Sequence, residues 1–418
     1  MTVVVDGRDF HGGKAVAPPS KSLLHRLLIA AALADRPTKI TGLNRGMSDD
    51  IKATARCLTA MGAEICGNVV IPVSSPAQAP LLDCGQSGST LRFLLPVASA
   101  VCGAGRATGS GRLPERPVTE VIDVMEQAGV SFSSLRLPLS FKGRLAPGRY
   151  EVSAKLTSQY VTGMMFALCA AGGGELVTGD SIVSENYVDL TTEVLRRFSV
   201  DVQKTEDGYV VPNARPVSPG VVSCEGDWSN SAFLLACAAM SGKHLNVKGL
   251  FKNTKQGDIA FLEILRLVGC RVKINKESVT VENNDGTRRY EGDIDVGNIP
   301  DLVPVAAVIS AAMKHEMTFV NASRLRLKES DRLESTAAMI RSLGGKAEVG
   351  EDFLHVLPTG LRGGAVDGYG DHRIVMAAAA ASCACEEPVV INGAEAVSKS
   401  YPGFFDDLRE LGGKTNVL

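Results

Sequence analysis

The sequence has one tryptophan in 418 residues, and aromatic side chains make up only 5% of it. Single-stranded nucleic acid is gripped by exposed aromatic platforms beside a basic track. A chain this poor in aromatics, with a formal net charge of −2, offers neither. Nucleic acid is not an expected partner, and affinity for phosphates must come from basic residues gathered locally. Long apolar runs are also missing: stretches such as Leu27 to Ala34 are too short to span a bilayer, so no membrane partner is expected. The ten cysteines follow no ligand spacing. Cys169, Cys237, Cys383 and Cys385 sit in Ala-rich apolar stretches, where a thiol acts as a small hydrophobe. The lone C-x-C of Cys383 and Cys385 lacks the second pair a zinc site needs, and His11, His244, His315 and His355 match no metal motif. No metal and no disulfide framework are expected. The first residues carry no basic leader, so the expected location is the cytoplasm.

What is present is repetition. A phrase of apolar helix, glycine and β-like stretch recurs, marked by Gly62, Gly129, Ser199, Gly269, Gly344 and Gly412, which lie 67, 70, 70, 75 and 68 residues apart. Glycine after the last turn supplies a left-handed helix end. The copy with Ser199 departs from that rule. A second series consists of a short polar phrase followed by an Ala- or Leu-rich segment with no polar face. Its markers Ser22, Ser89, Ser158, Ser229, Asp301 and Asp371 are spaced 67, 69, 71, 72 and 70. A helix apolar all round is buried, and Ser or Asp suits its start because the side chain accepts orphan backbone N–H groups.

The chain is therefore expected to be an α/β protein built six times over, each unit holding one buried and one covering helix. Three copies per half place one boundary near residues 223–226 and a second crossover within 13–19. The expected domains are residues 14–224 and, around them, residues 1–13 plus 225–418, with the active site in the cleft between them.

Buried helices that begin together gather positive dipole ends that attract anions. Any one polar phrase can be an ordinary cap. Basic residues accompany these, however: Lys21 and Arg26, Arg92, and Arg373 each stand near a buried helix start, where an unpaired cation is costly. The densest cluster runs from Arg326 through Lys328, Glu329 and Asp331 to Arg332. It reads either as a salt-bridged helix start or as an anion site. Arg112 and Arg116 lie in a loop punctuated by Gly109 and Pro117, a mobile basic segment or a rigid turn.

Taken in order, Pro19-Ser-Lys-Ser22, Gly88, Arg112-x-x-Glu-Arg-Pro117, Ser158-Gln159-Tyr160, Tyr187-Val-Asp189, Glu225-Gly-Asp227, Lys328-Glu-Ser-Asp-Arg332, Asp371-His-Arg373 and Lys399 resemble the 5-enolpyruvylshikimate-3-phosphate synthases, over roughly residues 1 to 415. The resemblance implies two similar domains of three βαβαββ repeats each, an inside-out α/β barrel. It implies transfer of an enolpyruvyl group from phosphoenolpyruvate to the 5-hydroxyl of shikimate 3-phosphate, with release of phosphate and without a cofactor, in a protein expected to be a monomer. It also assigns roles. Lys21, Gly88, Arg92, Arg112, Gln159, Arg332, Arg373 and Lys399 would hold phosphoenolpyruvate. Ser22, Arg26, Thr157, Ser158, Gln159, Ser184, Asp301 and Lys328 would hold shikimate 3-phosphate. Asp301, with Glu329 and Lys21, would move the protons.

The chain departs from the family pattern in having His25 before Arg26, Ser89 after Gly88, Phe93 after Arg92 and Thr157 before Ser158. None removes a charge or a proton carrier. Gly88 leaves room beside phosphoenolpyruvate, which implies sensitivity to glyphosate. Two rival readings are a UDP-N-acetylglucosamine enolpyruvyl transferase, which would want a reactive cysteine in the loop at 109–117, and an RNA 3′-phosphate cyclase-like protein, which would want the missing basic track.

Overall fold

The buried and covering helices alternate along the whole chain, as seen in a computed structural model that describes residues 1–43, 46–179, 182–283 and 289–418. Among the described residues the α-helices are α1 (Lys21–Leu33), α2 (Asp49–Met61), α3 (Gly88–Cys102), α4 (Thr119–Gln127), α5 (Gln159–Ala171), α6 (Asn186–Arg197), α7 (Trp228–Ser241), α8 (Phe261–Leu267), α9 (Val303–Ala312), α10 (Arg332–Ser342), α11 (His372–Ala381) and α12 (Phe404–Glu410). The odd-numbered helices are the apolar ones: every residue of α11 is buried, and so is Tyr160–Cys169 of α5. Even-numbered helices bury one face, as α2 does with Ile51, Thr54, Leu58 and Met61. No helix among the described residues is long and apolar enough to cross a membrane.

Each helix pair belongs to a four-stranded sheet, and six such sheets are present among the described residues. Within each, one pair of strands is parallel and the others are antiparallel. Leu81–Asp83 runs parallel to Ala104–Thr108 across α3, and Ala104–Thr108 then pairs antiparallel with Leu139–Lys142. The parallel pair needs a crossover, which the buried helix provides. The N-terminal strand Thr2–Asp6 pairs antiparallel with both Val389–Asn392 and Lys414–Val417, completing the sheet of the last repeat.

The chain forms two compact units, one of residues Pro19–Cys224 and one of Met1–Pro18 with Glu225–Leu418. Each has its own apolar core. The expected start of the inserted unit at residue 14 moves to Pro19, because Gly13–Val16 pairs parallel with Leu245–Lys248 of the discontinuous unit. The inserted unit receives Val221–Ser223 in return, parallel to Thr38–Thr41. The first strands of the first and fourth repeats are thus exchanged.

Two details bear on helix starts. The capping side chains are mostly not the residues that mark the repeat: Ser20, Ser87 and Asp227 accept backbone N–H groups of α1, α3 and α7, two residues before Ser22, Ser89 and Ser229. Asp371 caps α11 itself. Asp301 caps nothing, since a 3-10 turn, Pro300–Leu302, precedes α9. Its carboxylate is left for other partners.

All six residues that end the covering helices have positive φ, from 61° at Ser199 to 111° at Gly62. Ser199 takes this conformation with a side chain, at a cost of about 1–2 kcal/mol, and it is exposed. Ser199→Gly should therefore raise stability by about 0.5–1 kcal/mol after the extra chain entropy of glycine is deducted. An unchanged or lowered urea midpoint would count against this account.

Candidate active site

In the discontinuous unit the site begins with Arg332, the first residue of α10, whose side chain is 1% exposed. Its guanidinium reaches three carboxylates. Nε donates to Asp371 Oδ2 at 2.9 Å, Nη1 to Asp301 Oδ1 at 2.7 Å, and Nη2 to Glu329 Oε2 at 2.6 Å. Lys328 Nζ and Arg373 Nη2 each donate to Asp301 at 3.3 Å, and Lys399 Nζ lies 3.5 Å from Glu329. Four cations and three carboxylates are interleaved in these contacts.

Burial alone would push the Asp301 carboxyl upward, but Lys328, Arg373 and Arg332 outweigh it and hold the group well below the usual carboxylate range. For Arg332, burial opposes the charge and Asp371, Glu329 and Asp301 more than restore it. Arg373 is the incomplete member. It is buried, with its guanidinium 5.8 Å from the centre of the Phe233 ring, and its Nε and Nη1 meet no acceptor among the described residues. Two buried N–H groups without acceptors are costly and suit an anion.

In the inserted unit the starts of α1, α3 and α5 carry the candidate residues. Lys21 Nζ lies 2.9 Å from Asp50 Oδ2. Arg26 is buried, and its acceptors are all neutral: Thr191 Oγ1, Thr162 Oγ1 and the carbonyls of Ser22 and Tyr187. Burial pushes its guanidinium down to about 9. Arg92 Nη1 donates to Gln159 Oε1 at 2.8 Å, and Gln159 Nε2 donates to Ser89 Oγ at 3.0 Å. This pairing depends on a close approach of α3 and α5, since a Cβ at Gly163 would stand 2.2 Å from the Arg92 carbonyl oxygen. Thr157 accepts the Gln159 N–H, Ser158 is buried, and Ser184 is buried with φ 54°.

One expectation changes here. Of the two loop guanidinium groups, Arg116 rather than Arg112 reaches the α3 start: its Nη1 and that of Arg92 each lie 2.9 Å from where a Gly88 Cβ would be. Arg112 is instead half exposed and paired with Glu115. The expectation from the resemblance names Arg112, and the signal in favour of Arg116 is the adjoining Pro117, whose carbonyl accepts from Arg92 and Tyr160. Asp50, which pairs with Lys21, belongs to no motif and is not foreseen by sequence. The departures at positions 25 and 93 meet each other, the His25 and Phe93 rings packing edge to face at 6.1 Å. Burial, then Lys21 and Arg26, keep the His25 ring neutral, so it adds no charge to the site.

Because Asp301 is held low in the folded state, its contribution to stability is complete above the unfolded carboxylate value near pH 4 and is lost as pH falls through the folded value. Asp301→Asn should cost about 2 kcal/mol at pH 7, less than breaking a fully enclosed pair because 24% of the side chain is exposed. Urea unfolding of both proteins should show this gap near neutrality and its narrowing below about pH 4. A gap that widens on acidification would contradict the ion-pair account.

The EPSP synthase (3-phosphoshikimate 1-carboxyvinyltransferase) family profile matches residues 8–408. A protein of Clostridium kluyveri named 3-phosphoshikimate 1-carboxyvinyltransferase is 36% identical over 412 residues, covering 96% of this chain and 95% of the relative. One of the same name from Pyrococcus abyssi is 34% identical, with 98% of each covered. The solved EPSP synthase of Acinetobacter baumannii has the same fold, with a TM-score of 0.80 at 22% identity over the full length of both chains. The repeats, the interleaved charges and these likenesses lead to one conclusion: the chain belongs to the EPSP synthase (3-phosphoshikimate 1-carboxyvinyltransferase) family.

Proposed function

We propose that the chain transfers the enolpyruvyl group of phosphoenolpyruvate to the 5-hydroxyl of shikimate 3-phosphate and releases phosphate. The observation that carries the reading, beside family membership, is Arg373, a buried cation two of whose guanidinium donors meet no acceptor among the described residues. Two polyanions can be brought together only where guanidinium and ammonium groups offset their repulsion.

The reading assigns Lys21, the Gly88 backbone, Arg92, Gln159, Arg332, Arg373 and Lys399 to phosphoenolpyruvate, with Arg116 taking the part that the family pattern gives to Arg112. Ser22, Arg26, Thr157, Ser158, Gln159, Ser184, Asp301 and Lys328 serve shikimate 3-phosphate. The absence of a side chain at Gly88, where a Cβ would crowd the Arg92 and Arg116 guanidinium groups, underlies the expected sensitivity to glyphosate.

The chemistry requires the methylene carbon of phosphoenolpyruvate to gain a proton while the 5-hydroxyl loses one. The tetrahedral adduct then expels phosphate as the proton movement reverses. Asp301 accepts from the hydroxyl; Glu329 and Lys21 serve the carbon. Three cations make Asp301 a weak base. Substrate anions that take up Lys328 and Arg373 loosen that hold, so Asp301 gains basicity when substrates are bound.

Phosphate release with phosphoenolpyruvate should require shikimate 3-phosphate and should not occur with UDP-N-acetylglucosamine; release with the second acceptor alone would overturn the proposal. In the same assay Arg116→Ala should raise KM for phosphoenolpyruvate at least about tenfold, the scale of one lost charge-assisted hydrogen bond. Arg112→Ala should raise it far less. The reverse order would return the role to Arg112.

A further inference from the structure

We propose that Asp50 is a positioning residue for the transfer reaction that acts through Lys21, an inference resting on the reading of Lys21 as a group that meets substrate. The ion pair is direct, 2.9 Å from Lys21 Nζ to Asp50 Oδ2, with the side chains 15% and 7% exposed. The neighbouring Asp49 is unlike it, pairing at the surface with Lys52 where both side chains are 54% exposed.

Asp50 is fixed at both ends. Its carboxylate stands in the first turn of α2, where the helix dipole favours a negative charge. Its carbonyl oxygen accepts from Thr90 Oγ1 at 3.3 Å in the first turn of α3. The Thr90 hydroxyl also meets the α3 cap Ser87 at 2.8 Å and Thr54 at 2.7 Å, and Thr54 is one turn beyond Asp50 on α2. Thr54 in turn meets His25 Nδ1 at 2.7 Å, one turn beyond Lys21 on α1. Lys21, Asp50, Thr90, Thr54 and His25 therefore close a loop that ties the starts of α1, α2 and α3.

A lysine head on four flexible carbons has little orientation of its own. A proton carrier or anion clamp must be held to a fraction of an ångström to be effective. Asp50 contributes to that constraint from behind Lys21, by analogy with the carboxylates that orient metal ligands from the outer shell.

A double-mutant cycle tests this. Asp50→Asn should lower kcat for phosphate release about 10- to 100-fold, the scale on which loss of a carboxylate that orients a metal ligand acts, with KM for shikimate 3-phosphate changed by less than about threefold. Asp50→Glu should restore much of kcat. In a Lys21→Arg background, Asp50→Asn should cost less than about threefold more, because the residue it acts through is already altered. Equal losses in both backgrounds, no rescue by Glu, or unchanged kcat in Asp50→Asn would overturn the inference. If the Asn variant fails to fold by circular dichroism, Asp50→Glu compared in the two backgrounds decides the same question. Wild-type turnover in Lys21→Arg would remove the reading of Lys21, and this inference with it, while leaving the overall reaction assigned.

Discussion

Arg332 is the side chain on which the charge arrangement of the discontinuous unit depends. Burying a guanidinium to 1% exposure is costly. Asp301, Glu329 and Asp371 offset that cost by converging on its three nitrogens from separate stretches of the chain. Each of those carboxylates also serves a second partner. Asp371 caps α11, Asp301 meets Lys328 and Arg373, and Glu329 meets Lys399. Arg's fixed fork makes one residue able to orient all three, which a lysine could not.

The repeated fold explains why such a cluster can form without a basic protein. Each repeat contributes a buried helix to its unit, and in the discontinuous unit the starts of α9 and α11 come together where Arg373 meets Asp301. Asp301 and Arg373, 72 positions apart, meet because the counterpart of Asp301 in the next repeat is Asp371, two residues before Arg373. The exchange of first strands at Gly13–Val16 and Val221–Ser223 keeps every sheet complete although the chain passes twice between units.

The periodicity of the chain is legible because burial leaves a strong trace: an all-apolar helix and a left-handed helix end recur at nearly constant spacing. Even the weak copy obeys it, since Ser199 takes the glycine conformation at φ 61°. What is not legible depends on side-chain direction. Spacing makes Ser22, Ser89 and Ser229 look like caps, while Ser20, Ser87 and Asp227 do the capping. Two arginines four residues apart in one loop cannot be told apart by spacing, and only the position of Arg116 beside Gly88 separates them. Asp50 gives no signal, because an acid in the first turn of a helix is what any exposed helix prefers.

The carboxylates that neutralise the cluster also limit it. Without substrate, Asp301 is held deprotonated so firmly that it has little appetite for a proton, and Arg373 retains two buried donors without acceptors among the described residues. These are two sides of one imbalance. An anion that completes Arg373 weakens the grip of Arg373 on Asp301, since the Coulomb attraction of a cation already paired is smaller. On the proposed assignment of Arg373 to phosphoenolpyruvate and of Asp301 to the 5-hydroxyl, substrate binding and base strength would be coupled through one guanidinium.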